Sequence, residues 1–113
     1  MPAPRTSKTP KTAIPQRPFV SIVVPLYNED ESLRELFGQI SSVMKKMGKT
    51  FEVIFVDDGS TDGSFRVLKE LHTAHKEVKV IQFRRNFGKS AALSVAFKEA
   101  EVDFVVTMDA DVQ

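Results

Sequence analysis

Phe51-Glu52-Val53-Ile54-Phe55-Val56 is a short run rich in apolar and β-branched residues, and it breaks abruptly into Asp57-Asp58-Gly59-Ser60-Thr61-Asp62-Gly63. A run of this length and composition suits a strand buried on both faces. The acidic, glycine-containing stretch after it has turn chemistry. From about Ser64 to Ala74, Phe65, Leu68 and Leu71 recur at helical spacing, which predicts a helix with these three turned inward. The unit is therefore strand, polar turn, helix.

Working outward, the same unit recurs on both sides. Upstream, Phe19-Val20-Ser21-Ile22-Val23-Val24 is another short apolar run, ended by Pro25. Leu33, Leu36, Phe37, Ile40, Val43, Met44 and Met47 follow at helical spacing and predict one apolar stripe, with Met44 and Met47 as core filling. Glu29, Asp30 and Glu31 stand at the start of this helix, where its dipole favours anions, and Gly48 is a natural stop. Downstream, Val78 to Phe83 reads as a third strand and Arg84 to Lys89 as a loop. A helix rich in small residues runs from about Ser90 to Ala100, and Phe104 to Met108 is a fourth strand before Asp109-Ala110-Asp111-Val112-Gln113. The order β-α-β-α-β-α-β predicts an α/β fold, a Rossmann-like parallel sheet with right-handed crossovers.

Composition narrows the surroundings. With 113 residues the chain makes one modest domain, and a formal net charge of +1 selects neither nucleic acid nor membrane as a partner. Residues 1–18 carry four cations, no acid and five of the six prolines, and read as a disordered Pro/Lys-rich leader. The folded part is then residues 19–113, with 12 basic and 15 acidic groups. Cysteine is absent, which excludes disulfides and thiolate metal sites and fits a reducing, cytoplasmic setting. The leader lacks the apolar stretch of a secretory signal, and no apolar run approaches the roughly 18–20 residues that cross a bilayer.

Chemistry gathers at one rim. In an open α/β sheet, ligands bind beyond the carboxyl ends of the strands. Those ends are followed here by Tyr27, Asn28 and Glu29, by Asp57 and Asp58, by Arg84, Arg85 and Lys89, and by Asp109 and Asp111. Mixed charge on one rim above apolar strand bodies predicts a cleft for a ligand with anionic and hydrogen-bonding groups. Asp109-x-Asp111 offers two hard carboxylates to one divalent cation, Mg²⁺ or Mn²⁺, with the Gln113 amide oxygen on the same side. Alone the pair reads more readily as a solvated turn; its place after an apolar strand and opposite three cations decides for the metal. One of Asp57 and Asp58 is expected to serve the turn and the next helix, and the other, Asp57, to accept hydrogen bonds from a base or ribose. The basic loop around Gly88 suits phosphate, or is a solvated loop. No glycine-rich dinucleotide fingerprint or P-loop is present. His72 and His75, three apart on one helix, are expected on its outer surface rather than at a metal.

Together, Val23-Val24-Pro25-Leu26-Tyr27-Asn28-Glu29, Val56-Asp57-Asp58-Gly59-Ser60-Thr61-Asp62, the segment Arg84 to Lys89, and Met108-Asp109-Ala110-Asp111 resemble family 2 glycosyltransferases. The polyprenyl-phosphate branch, which includes dolichol-phosphate mannose synthase-like enzymes, is the nearest in pattern. The resemblance spans residues 19–113 and implies the N-terminal half of a GT-A fold, truncated at the metal motif. It implies that Pro25, Tyr27 and Glu29 line a nucleoside pocket, with Asp57 at the base and Asp58 beside it. Lys89 and Arg84 or Arg85 would approach phosphate or ribose. Asp109 and Asp111 would form the catalytic metal motif, with Asp109 also near the sugar nucleotide and Gln113 as a further ligand. The implied reaction is inverting transfer of a hexose from a UDP- or GDP-linked donor to a lipid phosphate or glycan.

Two features depart from the branch. Val112 stands where leucine is common, and the acceptor-binding segment and any membrane-associated part would lie after Gln113. The expectation is therefore a donor-binding region, inactive by itself, of a parent enzyme. The alternative is a non-catalytic nucleotide-binding remnant or interaction module. A nucleotidyltransferase would carry a glycine-rich loop where Leu26 to Glu29 stand. A receiver domain would carry acids after the first and third strands and a later lysine.

Overall fold

A computed structural model describes residues 18–100, 104–108 and 110; the expectations for the leader before Pro18 and for Asp109, Asp111 and Gln113 lie outside the described residues. Along the chain come β1 (Val20–Leu26), α1 (Leu33–Met47), β2 (Phe51–Asp57), α2 (Ser64–Ala74), β3 (Val78–Gln82), α3 (Lys89–Glu99) and β4 (Val105–Thr107). The strands form one parallel sheet in the order β3-β2-β1-β4. This is the predicted α/β, Rossmann-like arrangement. No helix among the described residues is long and apolar enough to cross a membrane.

Alternation along β1 and β2 sorts side chains onto two faces. Val20, Ile22, Val24, Leu26, Val53 and Phe55 meet Leu33, Leu36, Phe37, Ile40 and Met44 of α1 and Val67, Leu68 and Leu71 of α2. Val23, Ile54 and Val56 meet Ala92 and Ala96 of α3, whose short side chains let that helix lie close to the sheet. α1 closes on Gly48 in the left-handed region (φ 68°), with the Lys49 amide donating to the Met44 carbonyl, as in a Schellman cap.

The structure corrects four expectations. Val43 and Met47 are more than half exposed rather than core; with Phe19, Phe104 and Val106 they line an apolar groove between α1 and β4. Val67 is buried where Phe65 was expected; Phe65 is only half-buried, under the Lys69 ammonium. His72 is exposed, with Nδ1 2.7 Å from the Val78 carbonyl oxygen, but His75 is half-buried with its ring 4.6 Å from that of Phe37. Finally, Pro25 lies inside β1 instead of ending it. β1 bonds to β4 through the Ser21 amide and the Val23 carbonyl, which accepts from Met108 at 3.0 Å. The next donor on that side would be the nitrogen of residue 25, and proline has none, so its ring is tolerated where the ladder to β4 stops.

Candidate donor cleft

The strand order sets the location. The crossovers from β1 to β2 to β3 run in one direction, and the connection from β3 to β4 returns past them to the far side of β1. The switch point is thus between β1 and β4, where Pro25 leaves the ladder open at the carboxyl end.

At this rim the loop after β2 is joined to both neighbours. Asp57 is fully buried; its Oδ1 accepts from the Ser60 amide at 2.9 Å and closes the turn, and its Oδ2 has no hydrogen-bond partner among the described residues. Asp58 is also buried, and its two oxygens accept from the amides of Phe87 at 2.7 Å and Gly88 at 2.9 Å. That carboxylate fastens the basic loop to β2 immediately ahead of α3. Gly59, at φ 79°, makes the approach possible: a Cβ there would sit 2.6 Å from the Asn86 nitrogen.

On the other side, the β1 loop grips the turn through reciprocal bonds. Asn28 takes the left-handed conformation (φ 54°), its Oδ1 accepting from the amides of Thr61 at 2.8 Å and Asp62 at 3.3 Å. The Asn28 amide donates to Ser60 Oγ at 2.8 Å and the Glu29 amide to Ser64 Oγ at 2.9 Å. Asp30 accepts from the Gly63 amide, and Asp62 accepts from the amides of Asp30 and Ser64. Burial alone would raise the Asp62 carboxyl, but the hydrogen bonds from Ser64 and the Asp30 backbone outweigh it and hold it below the usual carboxylate range.

These ties shape a cleft of about 300 Å³ lined by Pro25, Leu26, Tyr27, Asp58, Asn86, Gly88 and Lys89. Of the predicted substrate residues, Pro25, Tyr27, Asp58 and Lys89 therefore share one cavity. Among the described residues, Glu29, Asp57 and Arg84 are not on its wall: Asp57, the buried last residue of β2, takes the turn-closing role expected of Asp58, Glu29 is half-buried, and Arg84 is exposed. Arg85 stacks over Phe87, 4.9 Å from the ring centroid. The wall combines an aromatic ring, a proline face, a buried carboxylate, an amide side chain and a cation at a helix start. It can hold a flat polar ring at one end and an anion at the other. Asn28 and Asn86 received no role from sequence. A lone asparagine in a loop has no period, although its tolerance of left-handed backbone is a weak signal for Asn28.

Residues 21–113 match the family model described as glycosyl transferase family 2. The undecaprenyl-phosphate 4-deoxy-4-formamido-L-arabinose transferase of Edwardsiella ictaluri is 40% identical over 96 residues, which cover 84% of this chain and 30% of the relative. The mannosyltransferase PcManGT of Pyrobaculum calidifontis, solved with GDP-Man and Mn²⁺, has a TM-score of 0.71 and 31% identity, over 85% of this chain and 28% of that one. TarS residues 1–349 of S. aureus, solved with UDP-GlcNAc, has a TM-score of 0.68 and 30% identity, over 82% and 26%. The chain spans about 30% of the length of the curated relative and little more than a quarter of these solved chains. The chain belongs to glycosyl transferase family 2.

Proposed function

From that membership we propose that the chain is the donor-binding part of an inverting hexosyltransferase acting on a UDP- or GDP-linked sugar. The observation that carries this reading is the cleft at the carboxyl end of β1, where Asp58 ties the basic loop beside Pro25, Tyr27 and Lys89. In this reading Tyr27 and Pro25 pack on the base, a carboxylate of the Asp57-Asp58 pair accepts from its edge, and Glu29 borders the nucleoside. Lys89 and the start of α3 face the diphosphate, with Arg84 at the outer margin.

Asp109, Asp111 and Gln113 would hold a divalent cation. Two carboxylates and an amide oxygen are hard donors suited to Mg²⁺ or Mn²⁺. Such a cation supplies Lewis-acid neutralisation of the diphosphate as it leaves. The acceptor we propose is a polyprenyl phosphate. One of its oxygens forms the bond to the anomeric carbon while the bond from that carbon to the diphosphate breaks, and the nucleoside diphosphate departs. Because the acceptor is already an anion, no separate side-chain base is required. Acceptor binding belongs to parts of the protein other than this cleft, at the cytoplasmic membrane surface.

Calorimetric titration of the chain with UDP and GDP, each with and without Mn²⁺, tests the donor site. One nucleotide should bind in a metal-dependent way, and Asp111→Ala should remove the metal dependence. A folded chain that binds neither nucleotide would overturn the proposal in favour of a non-catalytic module.

A further inference from the structure

We infer that Asn28 is a positioning residue that sets Tyr27 and Glu29 against the donor, an inference that rests on the donor-site reading above. Tyr27 is 45% exposed at the cleft edge, and packing alone does not fix its ring. The backbone that carries it is fixed one residue later. Asn28 departs from the strand into φ 54°, and a single side-chain oxygen there collects the amides of Thr61 and Asp62. Ser60 and Ser64 return the grip on the amides of Asn28 and Glu29. The β1 loop is thereby locked to the same turn whose Asp58 locks the β3 loop. Both walls of the cleft are referenced to one rigid segment, so the spacing between Tyr27 and Lys89 depends on the Asn28 bonds.

Glycine and aspartate separate the bonds from the conformation. Asn28→Gly keeps the left-handed backbone and loses the acceptor; Asn28→Asp keeps the acceptor and tolerates the same backbone. Tyr27 is the chain's single tyrosine and tryptophan is absent, so intrinsic fluorescence reports on this position alone. Asn28→Gly should lower the tyrosine anisotropy of the free chain. It should also weaken binding of the preferred nucleotide, UDP or GDP with Mn²⁺, by about tenfold, the scale of one or two lost hydrogen bonds. Asn28→Asp should restore both. Unchanged anisotropy and affinity in Asn28→Gly would overturn the inference while the donor site stood, as would a fall in melting temperature with neither readout moved. If the wild-type chain bound neither nucleotide, the donor reading would fall, and the anisotropy comparison would still decide whether Asn28 orders Tyr27.

Discussion

The loops after β1 and β2 and the flank formed by α1 and β4 are built on opposite principles. The loops are polar and solvent-facing, yet their amides and carboxylates answer one another across more than 30 residues of sequence. The groove side of the flank is apolar: Phe104, Val105 and Val106 are exposed, β4 pairs only with Ser21 to Val23 among the described residues, and Val43 and Met47 face an open groove. Hydrophobic burial is non-directional and scales with area removed from water, whereas hydrogen bonds prescribe positions. The body of the sheet therefore supplies stability, and the loops devote polar pairing to geometry. Positions at the rim are fixed by the loops for that reason, whereas the exposed groove side of the flank, unlike the inner face of α1, adds little to the core.

The largest test of this contrast is a pair of truncations. Phe55 has no exposed surface and lies where both α1 and α2 meet the sheet. Phe55→Ala should cost about 3–5 kcal/mol in urea denaturation, a large fraction of the roughly 5–15 kcal/mol that holds an ordinary domain folded. Val106→Ala on the flank, 46% exposed, should stay within about 0.5 kcal/mol. Equal costs would mean that the flank is as much a part of the core as β2.

A smaller effect separates backbone geometry from burial. Gly59→Ala places a methyl group against the backbone of Arg85 and Asn86 and holds alanine at φ 79°. The cost should be on the order of 1–3 kcal/mol. Because the strain falls between the β2 and β3 loops, the chain should also lose nucleotide affinity, which Val106→Ala on the flank should leave unchanged. Titration beside a denaturation curve gives both values.

Most of the scaffold was legible because it follows periodicity. All seven elements follow from the alternation of apolar runs with helical stripes, and the parallel sheet follows from their order. What periodicity cannot provide is the neighbour. Val43 and Met47 continue the α1 stripe as regularly as Ile40, and only the tertiary arrangement leaves them facing a groove. Phe65 and Val67 both fit the inner side of α2, and the choice between them depends on how the helix is rotated on β2 and β3. Pro25 reads locally as a strand end, and its place inside β1 is explained by which side of the strand lacks a partner. At the cleft, residue types that announce chemistry were found from sequence: Tyr27, Asp58 and Lys89. Asn28 had no role assigned because its partners, Ser60, Thr61 and Asp62, are distant along the chain, and Asn86 because only the tertiary arrangement puts it on the cleft wall.

The smallest expected effect sharpens the comparison by chemistry. Asp62 belongs to the loop clasp, and its carboxyl is held below the ordinary value of 3.8 by the bonds from Ser64 and Asp30, against the opposing influence of burial. The folded state therefore binds a proton less readily than the unfolded chain. The resulting stability is fully present above the unfolded value and is lost as pH falls through the lower folded value. In Asp62→Asn the remaining side-chain oxygen could still accept from Ser64, but the new amide nitrogen cannot accept from the Asp30 amide. Urea midpoints of the wild type and Asp62→Asn should thus differ slightly near pH 6 and converge only as pH falls below 3.8 through the lowered folded value. Asp62 is exposed, so the difference should be small and should shrink in high salt. Val106→Ala, removing only hydrocarbon, should shift the midpoint by the same amount at every pH. A pH-independent gap for Asp62→Asn would assign the clasp to the neutral bonds of Asn28 and the two serines, making its geometry insensitive to the carboxylates around it.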